Sequence, residues 1–433
     1  MKVTGLRMYG VNDLRVETFD LRDITDDEIL VKIYTDSLCM SSYKAAIQGS
    51  KHKRVPDDID KNPVILGHEF AGVIEKVGKN WQHEWKVGER FAQQPALGVP
   101  GDPRSPGYSF TDFGGDMTYC ILPKVVMENG CLIHYKGDSF FHASLGEPMS
   151  CIIGAFHAMY HTEQGVYTHK MGIVDGGSMA LLACAGPMGL GAIDYAMNAN
   201  PRPKRMVVAD INKERLARAE KLFPKEKAAK LGVDLHFINT AEVEDPKAAM
   251  LALNEGKGYD DVLVYAPGAQ VVGLADSILG YDGCLNFFAG PVDTQFSAKF
   301  NFYNVHYNAT HIVGTSGGNN DDLLEALEMT AKGQIDPAVM ITHVGGLDCA
   351  AEATLNLPNI PGGKKLIYPG ASMPLTAIDD FEKLGKEDPF FAKLHELCEK
   401  HNGLWNAEAE AYFIEEKWDL AEEELLSQGA TQR

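Results

Sequence analysis

The stretch Leu181-Leu182-Ala183-Cys184-Ala185-Gly186-Pro187-Met188-Gly189-Leu190, followed by Met206-Val207-Val208-Ala209-Asp210, decides how the chain is read. An apolar run that ends in a small-residue turn and reopens as a helix is where backbone N–H groups meet a pyrophosphate. Cys184 stands where the first glycine of G-x-G-x-x-G would be, so the turn alone is equally a plain strand-to-helix connection. Asp210 supplies what the turn lacks. It is a carboxylate at a strand end 21 residues after Gly189, placed to accept from both ribose hydroxyls and to repel a 2′-phosphate. A helix N-cap at Asp210 is compatible with that role but does not explain the spacing. Gly186, Pro187, Met188, Gly189 and Asp210 are therefore the candidate cofactor contacts, and Arg215 is near enough in sequence to stack on adenine. NAD(H) is favoured, with NADP(H) possible.

Working outward, strand and helix patterns alternate. Residues 179–183, 206–209, 262–266, 284–289 and 311–313 read as strands, with helices from Leu190 and from Asn212. This predicts an α/β domain over 152–312 with a doubly wound parallel sheet. Residues 1–151 carry short β-type runs at 29–33, 71–77, 90–92 and 118–122, broken by Gly and Pro, which predict an irregular β-rich domain. A helical segment at 323–332 and the run 342–345 predict that 313–370 return to that first domain. Residues 371–433 hold 15 acidic and 6 basic side chains, a net charge of −9. Phe390, Phe391, Leu394, Leu397 and Cys398 recur there at helical spacing, so this extension is expected to dock on the body, as a surface cap or a subunit contact.

Composition bounds the function. The chain has 433 residues, 45% hydrophobic and 23% charged, which suits a folded protein of two or three domains. A net charge of −20 repels nucleic acid. No run of about 18 apolar residues offers a membrane span, and no apolar leader follows Lys2, so a cytoplasmic protein is expected. Eight scattered cysteines without a Cys-x-x-Cys pair predict reduced thiols.

Cys39, the pair His68-Glu69 and Glu147 supply a thiolate, an imidazole and two carboxylates. Zinc accepts this mixture, and three protein ligands with one open position make a catalytic site. Singly, each has an ordinary role: Cys39 as a small buried hydrophobe, His68 as a loop histidine, Glu147 as a surface acid or helix cap.

Together these stretches resemble the medium-chain zinc-dependent dehydrogenases, the family of alcohol, sorbitol and threonine dehydrogenases. The resemblance is carried in family order by 38–42, Pro63 to Gly78 around Gly67-His68-Glu69, Val87-Gly88-Glu89-Arg90, 114–123, Glu147-Pro148 and Ala185 to Gly189. It implies a GroES-like β-rich catalytic domain, built from early and late segments around a Rossmann domain, and NAD(P)-linked hydride transfer at a CH–OH carbon. It also implies a homodimer or homotetramer with one catalytic zinc per chain. A structural zinc is not expected, because 90–120 holds only Cys120 of the four clustered cysteines such a site uses. The metal candidates are Cys39, His68, Glu69 and Glu147, and the choice between the two glutamates stays open.

Ser41 matches the family's proton-relay hydroxyl. Ser42 and Lys44 stand where the family usually has an aspartate behind the ligand histidine and a relay histidine. Lys44 completes a proton route only if it is desolvated. Within the family, 35–56 and the long extension are similar to bacterial L-sorbose 1-phosphate reductases, which interconvert L-sorbose 1-phosphate and D-glucitol 6-phosphate. Lys44, Lys51, His52, Lys53 and Arg54 are then a candidate site for the substrate's phosphate group. The competing readings are a dehydrogenase of an unphosphorylated polyol or secondary alcohol, and a non-catalytic dinucleotide-binding protein.

Overall fold

The computed structural model, which describes residues 1–163 and 165–418, sets the quoted stretch at the centre of a six-stranded parallel sheet. In spatial order its strands are Asp234–Asn239, Arg205–Asp210, Ser178–Leu182, Tyr259–Val264, Leu279–Phe287 and His311–Val313. The chain runs outward from Ser178–Leu182 in both directions, so the turn after that strand lies at the switch point where such sheets bind ligands. Met179, Ala180, Leu181 and Leu182 are all buried, without the alternation of a one-sided strand, because both faces of the sheet are covered. Helix Pro187–Asn198 follows, with Gly186 as its N-cap and Pro187 pre-set for the first turn. A side chain at Gly189 would overlap the Cys184 carbonyl oxygen, so only glycine lets this helix lie so close to its strand. The strand Asp234–Asn239 escaped the sequence reading, since Asp-Leu-His-Phe-Ile-Asn is neither a continuous apolar run nor a clean alternation.

These strands belong to a compact unit spanning Pro148–Met340. Residues 313–340, expected to return to the first domain, stay with this unit instead. Helix Asn320–Ala331 buries Leu323, Ala326 and Leu327, and its Asp322 and Glu325 meet His157 at 2.8 Å and Tyr195 at 2.7 Å. The Asp336 N–H then donates to buried Asp194 at 2.7 Å. The return comes at Ile341.

The other unit comprises Met1–Glu147 and the chain from Ile341 onward. Its hub is strand Ile29–Ser37, which pairs with Ala71–Val77, Tyr119–Leu122 and the late strand Lys364–Tyr368. Ile29, Val31 and Ile33 face a core with Phe70, Ile74, Phe91 and Phe113, as period-two alternation demands. The short runs at 29–33, 71–77 and 90–92 lie in strands of this sheet, as does 118–122 from Tyr119 onward, and the first is extended by several residues as Ile29–Ser37. Strand Lys364–Tyr368 threads the late segment into it, with Leu366 opposite Ser37.

The extension forms helices Phe381–Leu384, Pro389–Glu399 and Ala407–Lys417, and residues 419–433 lie outside the described residues. Phe390, Leu394, Leu397 and Cys398 are buried as the helical spacing predicts, beside Phe381, Trp405 and Phe413, while Phe391 is only half-buried. The docking is fastened by Glu410, buried at 2% exposure. Its carboxylate accepts from the N–H groups of Phe140 and Phe141 at the start of helix Phe140–Ser144, and from the Tyr368 hydroxyl at 3.0 Å. The Trp405 indole N–H in turn donates to that hydroxyl at 2.8 Å. Among the described residues no helix is long and apolar enough to cross a membrane, and the eight cysteines form no disulfide.

Burial pushes the Glu410 carboxyl up to about 7, against the donors that hold it down. A carboxyl raised above its ordinary 4.5 favours the fold when protonated, so this contribution is present below 4.5 and fades as pH rises through about 7. Glu410→Ala should lower stability by roughly 2–4 kcal/mol, by stranding buried donors. It should also flatten this part of the pH dependence, as read from urea unfolding at about pH 5 and pH 8.

Candidate active site

Strand Ile29–Ser37 ends just before Cys39, which occupies the N-cap position of helix Met40–Gln48. Gly67, at a φ of +85°, has no room for a side chain against the Asp36 carboxylate, and this close approach turns His68 and Glu69 inward. The ligating atoms of Cys39, His68 and Glu69 all lie within 4.8 Å of one another. Desolvation and the charge of Glu69 raise the Cys39 thiol above its ordinary range. A divalent cation among these groups would favour the thiolate.

Glu69 is 1% exposed, and the buried Lys364 ammonium donates to both its oxygens at 2.5 Å. The Ser37 hydroxyl also donates to it. Desolvation opposes the carboxylate, yet Lys364, His68 and the Ser37 hydroxyl hold it below its usual range. Behind it, Asp36 accepts from the Glu69 N–H at 2.9 Å and lies beside buried Asp116. Desolvation and Glu69 push Asp116 up to about 7, and desolvation and Asp116 raise Asp36 in turn, so the pair retains a proton.

Ser41 and Ser42 lie beside this cluster, and Glu147, which is not part of it, is near enough for the charges of Glu69, His68 and Cys39 to act on its carboxyl. Ser41 Oγ is 3.2 Å from Cys39 Sγ, and the Ser42 hydroxyl is 3.5 Å from His68 Nδ1, where the family usually has an aspartate. Glu147, in the first turn of helix Gly146–Ala158, is buried. Desolvation, then Glu69 and Cys39, push its carboxyl up to about 7 against His68 and Lys364. The donor set suits zinc: a thiol, an imidazole and carboxyls in excess of the buried cations, all withdrawn from water.

The basic stretch lies against Tyr108. His52 stacks on its ring at 5.4 Å, and the Arg54 guanidinium carbon lies 5.3 Å from the ring centre. Burial, then Arg54, Lys53 and Lys44, lower the His52 pKa. Lys51 and Lys53 are exposed, whereas Arg54 is half-buried.

In the other unit, Asp210 Oδ2 accepts from the Ala185 N–H at 2.9 Å and Oδ1 from the Asn212 N–H at 2.9 Å. Asp210 therefore braces the glycine turn. The cap of helix Lys213–Leu222 is Asn212, which accepts from the Arg215 N–H. Arg215 is exposed. Gly186, Pro187 and Met188 form the turn and the first residues of its helix, with Gly189 packed on Cys184.

Sequence reasoning missed Lys364, Tyr108, Asp36 and Asp116. Lys364-Lys365-Leu366-Ile367-Tyr368 reads as an apolar strand with a basic entrance, and only the fold shows that this entrance is buried. Tyr108 sits in a Gly- and Pro-rich loop without any pattern.

Residues 25–131 match the alcohol dehydrogenase GroES-like domain, and residues 187–332 match the zinc-binding dehydrogenase domain. The chain is 55% identical over 414 residues to mannitol-1-phosphate 5-dehydrogenase of Aliivibrio fischeri, covering 96% of this chain and 98% of that one. It is 46% identical over 417 residues to L-sorbose 1-phosphate reductase of Klebsiella pneumoniae, with the same coverage. The structure of galactitol-1-phosphate dehydrogenase from Escherichia coli superposes with a TM-score of 0.64 at 21% identity, covering 84% of this chain and all of that one. At that identity the likeness establishes the fold.

Lys364→Met should cost about 3–5 kcal/mol in chemical denaturation at neutral pH, because it strands a buried carboxylate, and Lys364→Arg should recover most of the loss.

Proposed function

The chain belongs to the zinc-binding medium-chain dehydrogenases, and from that premise we propose that it reduces L-sorbose 1-phosphate to D-glucitol 6-phosphate, reversibly, with NADH as the preferred reductant. The observation that carries the substrate choice is the Arg54 guanidinium over the ring of Tyr108, whose hydroxyl is 3.5 Å from His68 Nε2. A neutral polyol has no use for such a cation, whereas a phosphate dianion forms short, charge-assisted bonds with it. The relatives at 55% and 46% identity both carry a sugar phosphate in their names.

Cys39, His68 and Glu147 are the proposed zinc ligands. Glu69 meets Cys39 and His68, but its oxygens are held by Lys364 and Ser37, so its role is a fixed negative charge beside the metal. A zinc ion held there supplies Lewis-acid polarisation of the substrate carbonyl. Ser41, close to Cys39 Sγ and hydrogen-bonded with Tyr108, is placed to pass a proton to the substrate oxygen. Ser42 steadies His68 as a neutral acceptor, weaker than a carboxylate. Lys44 belongs with Lys53 and Arg54 on the phosphate side. In the dinucleotide-binding unit, Asp210 both braces the glycine turn and opposes a 2′-phosphate, which favours NAD over NADP.

A second reading is oxidation of mannitol 1-phosphate at C5, favoured by the relative at 55% identity. The two differ chemically. Reduction of L-sorbose 1-phosphate occurs on the carbon next to the phosphorylated one, and the mannitol reaction occurs far from it.

With NADH, kcat/KM for L-sorbose 1-phosphate should exceed that for L-sorbose by about tenfold or more, the worth of one charged hydrogen bond. Equal efficiencies would remove the phosphate reading in favour of a plain polyol dehydrogenase. Glu147→Gln should lose most bound zinc on gentle purification while Glu69→Gln keeps it, and the reverse would make Glu69 the third ligand. Asp210→Ala should shift the NADP to NAD efficiency ratio upward, and an unchanged ratio would rule out its ribose role.

A further inference from the structure

We propose that the hairpin of strands Tyr160–Glu163 and Val166–Met171 is a docking edge for the same hairpin of a second copy of this chain. The two strands form a sheet of their own, apart from the six-stranded one. The inner strand is anchored. His161 is buried and meets the Asp261 carboxylate at 3.0 Å and the Asp282 carbonyl at 2.9 Å, and the Thr162 N–H donates to the Asp282 carboxylate at 2.9 Å. The Tyr160 ring centre lies 4.5 Å from that of His311, on the edge strand of the parallel sheet. The outer strand has no such cover: all six of its residues are exposed, with Tyr167 at 97% and Met171 at 62%. A two-stranded ribbon is marginal in water by itself, and a free edge carrying apolar side chains is a template for another strand. A firmly rooted base with a bare outer edge is a surface held out for a partner.

Charge selects what that partner is. A net charge of −20 keeps two copies apart wherever acidic surface meets acidic surface. Strand Val166–Met171 carries no acid and one cation, Lys170. Beside it lies a cavity of about 840 Å³, lined by the apolar Ile173, Val174 and Pro201 and by the carboxylates of Glu163 and Asp175. Among the described residues Lys170, Glu163 and Asp175 have no ion-pair partner. One surface thus offers an unpaired cation, unpaired acids, a bare strand and a recess, and such a patch is complementary to itself. About a twofold axis, each copy sets its Lys170 against the acids of the other and its Tyr167 toward the other's cavity, while the two outer strands pair antiparallel. An acidic partner of another kind would answer Lys170 and leave Glu163 and Asp175 unmatched.

The test is sedimentation velocity on the full chain at micromolar concentration, for the wild type, Lys170→Glu, Glu163→Lys and Tyr167→Ser. All three positions are exposed, so these substitutions leave the fold of the single chain nearly unchanged. The wild type should sediment as an assembly. Lys170→Glu and Glu163→Lys should each halve its mass, because like charges set face to face oppose association. Tyr167→Ser should raise the dissociation constant about tenfold or more, the loss of an aromatic anchor. Mixed one to one, Lys170→Glu and Glu163→Lys should regain the wild-type mass, since each supplies the charge the other lacks. A monomeric wild type overturns the proposal, and so do variants that keep the wild-type mass. A mixture that stays at the halved mass overturns it as well, because the charges then do not face each other across copies.

Discussion

Lys364 and Glu69 meet as a buried ammonium and a buried carboxylate, and their pairing ties the late segment of the chain to the motif that bears His68. Taking two ions out of water costs several kcal/mol each, so such a pair endures only where geometry and further hydrogen bonds compensate. Here Lys364 spans both oxygens and Ser37 adds a third bond. The backbone serves the same end, since strand Lys364–Tyr368 lies alongside Ile29–Ser37, the strand that leads into Cys39. Sheet pairing and ion pair thus act on the same join between segments some three hundred residues apart.

The local charge balance then follows. Glu69 is neutralised by Lys364, while Asp36, Asp116 and Glu147 are each pushed toward protonation by burial and by one another or Glu69. Such a surplus of desolvated carboxyls around a thiol and an imidazole is costly without a cation and favourable with one. The replacement of the usual aspartate by Ser42 fits this setting, since another carboxylate behind His68 would add to the excess.

How much of this was legible in the sequence depended on whether the signal was local. Runs such as Met206-Val-Val-Ala and Ile29-Leu-Val-Lys-Ile declare a strand within a few residues, and Gly-Pro-Met-Gly after an apolar run declares the turn. Asp234–Asn239 did not, because its mixed composition becomes a strand only through pairing with Arg205–Asp210. The return of the chain was placed too early because helix Asn320–Ala331 reads the same whichever unit it packs on. At the site, Cys39, His68, Glu69 and Glu147 could be named from their order, yet Lys364 and Tyr108 could not. A lysine opening a strand looks solvated until its partner, contributed from the other end of the chain, is known. A loop tyrosine carries no periodicity at all.

The grip of Glu410 on Phe140 and Phe141 reaches beyond the extension. From Phe141 to Glu147 the backbone runs through only one short helix and a tight connection. The C-terminal helices are thus a buttress for the very segment that carries Glu147, the buried carboxyl proposed as a zinc ligand. If Glu147 is the ligand proposed above, a shortened or crowded C-terminus would be felt as a poorer grip on the ion, with every residue of the donor set still in its place in the sequence.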